Sequence, residues 1–149
     1  DVEASLHCAK LLAQKIPEVD VLITAEAKGI PLVHDLSREL GISHYVVARK
    51  SKKTYMVDPL SVDVDSITTL GTQKLYLPSE DLHLIKNKRV GIIDDVISTG
   101  ESLKSLSELI KQAGGKIVCQ AAILAEGEAS ERDDIIFLEK LPLFPIEKK

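Results

Sequence analysis

The sequence predicts an α/β protein of three layers, with helices on both sides of a central, mostly parallel, twisted sheet. Three observations favour this fold class. Segments rich in branched apolar residues, typical of strands buried on both faces, alternate with segments whose apolar residues recur at helical spacing. Gly and Pro stand where helices usually begin or end. The 149 residues, 44% of them hydrophobic, suffice for one core, and we interpret residues 1–149 as a single domain.

The first half of the chain contains two predicted helix–strand units. Apolar residues from Val2 to Ala13 predict a helix that reaches about Lys15, and residues 19–25 predict the first strand. Pro31 suits the first turn of a second helix, which Gly41 should end. Residues 42–48 predict the second strand.

Residues 55–78 follow a different pattern, in which Thr, Val and Ile alternate loosely with polar residues. We predict a protruding, exposed two-stranded segment, with residues 62–68 paired to residues 72–77. A regular pattern then returns. The predicted elements are a turn or short helix over 82–87, a strand over 89–94, a helix over 103–113 closed by Gly114-Gly115, and strands over 117–125 and 135–138.

Composition excludes several classes of protein. A net charge of −4 and an aromatic fraction of 3% argue against a nucleic-acid-binding surface, unless a DNA-binding domain precedes this chain. No apolar run approaches the roughly 20 residues that span a bilayer. Cys8 and Cys119 lie far apart without metal-type spacing, which favours reduced thiols in a cytoplasmic protein. The chain starts at Asp1 without signal-peptide features, and we expect further natural sequence upstream.

The most informative stretch runs from Val90 to Ser102, where an apolar strand leads into Asp94-Asp95, a short loop and a helix. Ligands of open α/β sheets bind outside the carboxyl ends of the strands. Two carboxylates there can accept hydrogen bonds from sugar hydroxyls or hold the waters around Mg²⁺. The alternative is a solvated strand end that caps the next helix, and the following loop makes that alternative the weaker one.

The loop after the acids has the composition of a phosphate-binding site. Backbone amides at a helix N-terminus, with the hydroxyls of Ser98, Thr99 and Ser102, can surround a phosphate, and Gly100 lets the backbone approach it. The sequence is neither a Walker loop nor a dinucleotide fingerprint. Taken alone, the loop is better explained as an ordinary strand-to-helix connection.

Two further turns bring cations to the same predicted sheet edge. The turn Glu26-Ala27-Lys28-Gly29 follows the first strand, and the basic run from Arg49 to Lys53 follows the second. Each taken alone is more typical of a solvated surface. Three loops with acids, cations and free amides at one edge predict a single polyanionic ligand, such as a phosphorylated sugar.

The stretch Val90–Ser102 resembles the phosphoribosyl-pyrophosphate (PRPP) motif of type I phosphoribosyltransferases. The Glu26–Gly29 turn is similar to that family's pyrophosphate loop, and Arg49-Lys50 is similar to the Arg-Lys of its purine branch. The segment 55–78 stands where the family has a flexible hood loop. The tail, with Glu126, Ile135, Phe137, Leu138 and Leu143-Phe144, resembles the adenine and xanthine subgroup.

The resemblance implies transfer of ribose 5-phosphate from PRPP to a purine, with release of pyrophosphate. Asp94 and Asp95 would hold the ribose hydroxyls and stabilise positive charge on the ring. Mg²⁺ would be held mainly through PRPP and water, with the same two carboxylates as candidate ligands. The resemblance also implies a homodimer and a cis peptide bond at Ala27-Lys28. The remaining implied contacts are Ser98, Thr99, Gly100, Glu101 and Ser102 for the 5′-phosphate, and Ala27, Lys28, Gly29, Arg49, Lys50 and Lys52 or Lys53 for pyrophosphate.

Two departures from the family pattern bear on the base and on activity. Adenine enzymes carry a Glu in the hood loop, whereas the matching residues here are Thr68, Thr69, Leu70 and Gly71. The family's N-terminal hood segment, which helps to bind the base, would precede Asp1.

Three hypotheses follow from these patterns and departures. The first is a purine phosphoribosyltransferase, with adenine preferred to xanthine or hypoxanthine. The second is a non-catalytic PRPP-binding regulator of the same fold, which the altered hood loop favours. The third, a receiver domain, fits poorly because its acids belong to the first strand, whereas Asp94-Asp95 follows two earlier strands.

Overall fold

The computed structural model of the chain describes residues 1–64 and 73–141. The helices among them are α1 (Val2–Ala13), α2 (Ile30–Leu40), α3 (Leu82–Ile85) and α4 (Glu101–Gln112). The strands are β1 (Val21–Ala25), β2 (Tyr45–Ala48), β3 (Leu60–Val64), β4 (Gln73–Leu77), β5 (Arg89–Ile97), β6 (Lys116–Glu126) and β7 (Ile136–Leu141). Short 3-10 helices precede α3 (Ser79–Asp81) and link β6 to β7 (Gly127–Glu131).

The central sheet has five strands in the order β2-β1-β5-β6-β7, and every neighbouring pair in it is parallel. All the carboxyl ends therefore lie along one edge of the sheet. The predicted fold class is confirmed. The strand order also places β1 and β5 side by side in the centre, although 63 residues separate Ala25 from Arg89 within the sequence.

Apolar side chains cover both faces of the sheet, as the unbroken apolar runs predicted. Helices α1 and α2 pack on one face, where Leu12, Leu36 and Ile93 are fully buried. Helix α4 packs on the other face, where Ile92, Leu106 and Ile110 are fully buried. The pattern arises because successive strand residues point to opposite faces, so Ile92 and Ile93 serve different layers.

The ends of α1 and α2 follow from their sequences. The side chain of Asp1 accepts hydrogen bonds from the backbone N–H groups of Glu3 at 3.0 Å and Ala4 at 3.4 Å, which caps α1. Pro31 stands in the first turn of α2. Gly41 ends α2 at φ 70°, a left-handed conformation that glycine adopts without steric cost.

Strands β3 and β4 form an antiparallel hairpin in a separate two-stranded sheet, with Leu60 opposite Leu77. The prediction of a paired two-stranded segment is confirmed, and one face of the hairpin is exposed as predicted, whereas the other face is buried. Val62, Leu75 and Leu77 are buried in the core beneath α4. Alternation of apolar and polar residues buries one face of such a hairpin, and that face completes the α4 layer.

Several predicted boundaries are wrong by a few residues. Strand β5 continues past Asp94 to Ile97, because Val96 and Ile97 still pair with β6 and backbone pairing does not require apolar side chains. Strands β1 and β2 begin later than predicted, and their first residues, Val21 and Tyr45, are the first that pair with a neighbouring strand. Helix α1 ends at Ala13, before the predicted Lys15.

Candidate phosphate and sugar site

Three loops leave the carboxyl ends of β1, β2 and β5 at one edge of the sheet. They are residues 26–29 after β1, residues 49–53 after β2, and residues 98–100 after β5. The sheet order makes β1 the neighbour of both other strands. The loop after β1 contacts the loop after β2 through Glu26 and approaches strand β5 at Asp94.

The loops after β1 and β2 meet through the carboxylate of Glu26. Its Oε1 atom lies 3.8 Å from Nη1 of Arg49 and 3.5 Å from Nζ of Lys53. The same oxygen is buried and accepts no hydrogen bond within the described residues. Two cations thus converge on one anionic group. Since a carboxylate and a phosphate attract the same cations, Arg49 and Lys53 are positioned to bind an anion that displaces Glu26.

The hairpin of β3 and β4 is joined to this cationic loop. The backbone N–H of Arg49 donates to the carbonyl of Tyr76, and the N–H of Tyr76 donates to the carbonyl of Arg49, each at 2.8 Å. This pair of hydrogen bonds is an isolated antiparallel bridge between the residue that follows β2 and a residue of β4. The hairpin therefore positions the backbone of a predicted pyrophosphate-binding residue, an arrangement that the sequence pattern did not indicate.

Asp94 lies beside the loop that contains Gly29. The point where a side chain on Gly29 would begin is 3.7 Å from the Cα of Asp94, and it would overlap Oγ1 of Thr24, so glycine is the residue that fits at position 29. The pKa of Asp94 is raised to about 7, chiefly by burial and then by the side-chain hydrogen bond and charge of Asp95, whereas the backbone hydrogen bond from Asp95 and the charge of Lys50 act in the opposite direction. A neighbouring cation, a metal or hydroxyl donors would each favour the charged form of Asp94.

The loop after β5 has the backbone of an anion-binding turn. Gly100 caps α4 at φ 81°, a conformation that side chains rarely tolerate. The Oγ1 of Thr99 accepts from the N–H of Glu101 at 3.4 Å, and the hydroxyl of Ser98 donates to Glu126 at 3.0 Å. The next two amides of α4, those of Ser102 and Leu103, have no helical carbonyl to bind, so they remain available to an anion at this end.

Other predicted residues have fewer contacts. Ala27 and Lys28 are exposed, and Lys28 makes no hydrogen bond or ion pair within residues 1–64 and 73–141. Lys52 and Ser102 are exposed as well. The predicted hood-loop residues Thr68, Thr69, Leu70 and Gly71, and the tail pair Leu143-Phe144, lie outside the described residues.

The cis peptide bond joins Glu26 to Ala27, so the prediction of Ala27-Lys28 is wrong by one bond. No proline marks the bond in the sequence, and the residues therefore do not indicate which peptide of the turn is cis.

Sequence reasoning missed two side chains at this edge, Glu126 and Arg132. Glu126 ends β6 and accepts the hydrogen bond from Ser98, and Arg132 lies against Gly100. Glu126 was noted only as a feature of the tail. Because ligands bind outside the carboxyl ends of parallel strands, the position of Glu126 at the end of β6 is a signal in the sequence that it lies near the site.

The donor set fits a magnesium ion that a phosphorylated ligand carries into the site. No group of three or more His, Cys, Asp or Glu side chains in the described parts of the chain could hold a metal by itself. Asp94 and Asp95 offer carboxylate oxygens at the centre of the site. Mg²⁺ is usually bound by one or two carboxylates together with substrate phosphates and water, rather than by a protein cage.

Comparison with known proteins places the chain in a family. The phosphoribosyl transferase domain family matches residues 3–144. This chain belongs to that family.

No helix within the described residues has the length and apolar character needed to cross a membrane.

The similar curated proteins include enzymes and a regulator. The chain is 29% identical to an adenine phosphoribosyltransferase of Corynebacterium jeikeium, over 99% of this chain and 70% of that protein. It is 34% identical to a hypoxanthine/guanine phosphoribosyltransferase of a Methanocaldococcus species, over 76% of this chain but only 54% of that protein. It is 27% identical to the transcriptional regulator GfcR of Archaeoglobus fulgidus, over 95% of this chain and 66% of that protein.

Solved structures agree on the fold. The crystal structure of adenine phosphoribosyltransferase from Thermoanaerobacter pseudethanolicus superposes with a TM-score of 0.79 at 23% identity, covering 95% of this chain and 83% of that one. The predicted resemblance to this fold is therefore confirmed.

Proposed function

We propose that this protein transfers ribose 5-phosphate from PRPP to a purine base and releases pyrophosphate. Adenine is the preferred base, because the adenine enzyme of Corynebacterium is similar over nearly the whole chain. The observation that carries the proposal is the convergence of the loops after β1 and β2 on Asp94 of β5: Gly29 and Lys50 both adjoin Asp94, while Arg49 and Lys53 share Glu26.

Each loop is assigned one part of the substrate. Asp94 and Asp95 accept hydrogen bonds from the ribose hydroxyls, and residues 98–102 bind the 5′-phosphate through amides and hydroxyls. Lys28, Arg49, Lys50 and Lys53 neutralise the pyrophosphate, with the backbone of Ala27 and Gly29 lining its binding site. Substrate-borne Mg²⁺ would add further positive charge there when bound.

The chemistry forms a bond from a purine nitrogen to C1 of the ribose and breaks the bond from C1 to the pyrophosphate oxygen. The electron pair of the broken bond leaves on pyrophosphate, and the proton of the purine nitrogen passes to the solvent. Positive charge develops on the ribose ring, which the adjacent carboxylates of Asp94 and Asp95 stabilise. The protein contributes by orienting the reactants and by electrostatics, so it needs no covalent intermediate.

Thermal unfolding with PRPP and Mg²⁺ tests the donor assignment. A ligand at about 100 times its Kd adds about 2.7 kcal/mol to the free energy of unfolding, which raises the Tm of a chain of this size by roughly 5–10 °C. Asp94→Asn with Asp95→Asn should abolish that rise. Glu18→Gln with Glu39→Gln removes the same formal charge from exposed positions and should preserve it. An unchanged Tm of the wild-type protein at saturating PRPP would contradict the proposal.

Pyrophosphate release from PRPP, assayed with adenine, hypoxanthine, guanine and xanthine in turn, tests catalysis and the base. We expect turnover with adenine above that with the 6-oxopurines. Faster turnover with hypoxanthine or guanine would instead favour the activity named for the Methanocaldococcus relative.

A regulator that binds PRPP without chemistry is the second candidate. The similarity to the Archaeoglobus regulator over 95% of the chain favours it, and so does the Thr69 position where adenine enzymes carry a Glu. PRPP binding without turnover on any purine would decide for this candidate.

We also propose a cytoplasmic homodimer. The two cysteines are free thiols, as expected in a reducing compartment. An apolar groove between α1 and α2, lined by Val2, Ile30, Pro31 and Tyr45, offers a surface that a second copy could cover. Light scattering of the purified protein would test this, and a monomer at micromolar concentration would refute it.

A further inference from the structure

The connection between β6 and β7 brings an arginine to the loop after β5. The point where a side chain on Gly100 would begin lies 2.7 Å from Nη1 of Arg132. The guanidinium group of Arg132 therefore packs directly over the Cα of Gly100, at the start of α4. Residues 99 and 100 and Arg132 line the same cavity, of about 510 Å³, which runs along α4.

The orientation of Arg132 is set by a second side chain. Its Nε donates to Oδ1 of Asp134 at 2.8 Å, and its Nη2 donates to Oδ2 at 2.7 Å. This two-point pairing uses one edge of the planar guanidinium group. The other amino group, Nη1, points toward Gly100 and makes no hydrogen bond within residues 1–64 and 73–141. Asp134 thus fixes the plane of the arginine without using the nitrogen that faces the loop.

The surroundings favour an anion at this position. Lys104, Glu108 and Lys111 also line the cavity. The amides at the N-terminus of α4 carry partial positive charge at the same end. An arginine held by a carboxylate on one edge can still bind a phosphate oxygen with its remaining N–H groups.

We infer that Arg132, held in place by Asp134, is a further phosphate-binding residue for the 5′-phosphate group of the substrate. The inference rests on the proposed function, since it adds a cation to the site that residues 98–102 are proposed to form. Arg132 reaches the phosphate position through Nη1, which packs over Gly100. It contributes to ligands that carry the 5′-phosphate and not to pyrophosphate, which is assigned to Lys28 on the loop after β1 and to Arg49, Lys50 and Lys53 on the loop after β2.

The experiment compares two ligands on the full chain. Isothermal titration calorimetry measures the Kd of ribose 5-phosphate and, separately, the Kd of pyrophosphate with Mg²⁺. Removing a charge-assisted hydrogen bond weakens binding by roughly 10- to 100-fold. Arg132→Gln should therefore raise the Kd of ribose 5-phosphate about tenfold or more, and change the Kd of pyrophosphate less than about twofold.

Two further variants make the result specific. Arg89→Gln breaks a similar two-point Arg–Asp pair, with Asp20, at the opposite end of β5 and should leave both dissociation constants unchanged. Arg132→Lys keeps the charge but loses the fork geometry, so it should recover part of the affinity for ribose 5-phosphate, and it also tests the inference if Arg132→Gln fails to fold.

The outcomes separate the inference from the proposed function. A wild-type protein that binds neither ligand overturns both. Wild-type binding with no loss in Arg132→Gln, or with equal loss for the two ligands, overturns the inference and leaves the proposed function intact. A loss confined to ribose 5-phosphate, with partial recovery in Arg132→Lys, supports the inference.

Discussion

Replacement of Asp94 by Asn should change how the stability of the protein depends on pH. Burial raises the pKa of Asp94 from 3.8 to about 7 in the folded protein, while the unfolded chain restores the ordinary value. The folded state therefore holds a proton that the unfolded state has lost between these two pH values. Stability from this group is fully present below about pH 4 and is lost as the pH rises to about 7.

The size of the effect follows from the two pKa values. At about 1.4 kcal/mol for each pH unit, a rise from 3.8 to about 7 corresponds to about 4 kcal/mol in total. Between pH 5 and pH 8.5 the wild-type protein should lose about 3 kcal/mol of unfolding free energy relative to Asp94→Asn. Groups away from this site titrate alike in both proteins, so the difference between them reports on Asp94 together with its interaction with Asp95.

Urea unfolding at intervals of half a pH unit provides the measurement. Asp63→Asn is the control, because Asp63 is an exposed acid on β3 whose removal should preserve the wild-type profile. Parallel pH profiles for the wild type and Asp94→Asn would show that the raised pKa and its assigned cause, burial beside Asp95, are wrong.

Three further predictions concern the second loop, the hairpin and the buried thiol. Lys53→Ala should weaken pyrophosphate binding about tenfold by calorimetry, yet change the unfolding free energy by less than about 1 kcal/mol, since Arg49 still faces Glu26. Leu77→Ala should cost about 2–5 kcal/mol in urea unfolding because Leu77 is fully buried, and a cost below about 1 kcal/mol would mean that the hairpin is not part of the core. Burial raises the pKa of Cys119 to about 11, so at pH 8 only about one molecule in a thousand carries that thiolate, and a thiol reagent should label Cys119 only after unfolding. Rapid labelling of Cys119 in the native protein would refute that reasoning.

Much of the sheet was predictable because strands and helices carry local signals. Branched apolar runs identified β1, β2, β5, β6 and β7, and Pro31 and Gly41 marked the start and end of α2. The wrongly predicted strand ends are those that pairing with a neighbouring strand determines. Strand β5 continues beyond Asp94 because β6 runs beside it, and no residue of β5 itself encodes that length.

The β3–β4 hairpin shows a second kind of error. Its alternating pattern correctly indicated two paired strands, but whether its apolar face meets solvent or α4 depends on residues more than 20 positions away. Val62 and Leu75 are buried because Leu103 and Leu106 of α4 complete the same cluster.

The candidate site likewise has features that the sequence predicts and features that only tertiary contacts determine. The order of residues by itself determined that acids, a glycine-containing loop and cationic turns each follow a strand, and a parallel sheet then brings them to one edge. Only the tertiary structure decided that Glu26 links Arg49 to Lys53, that burial raises the pKa of Asp94, and that Arg132 faces Gly100. These properties depend on distances and desolvation between residues far apart in the chain, and local sequence patterns do not contain them.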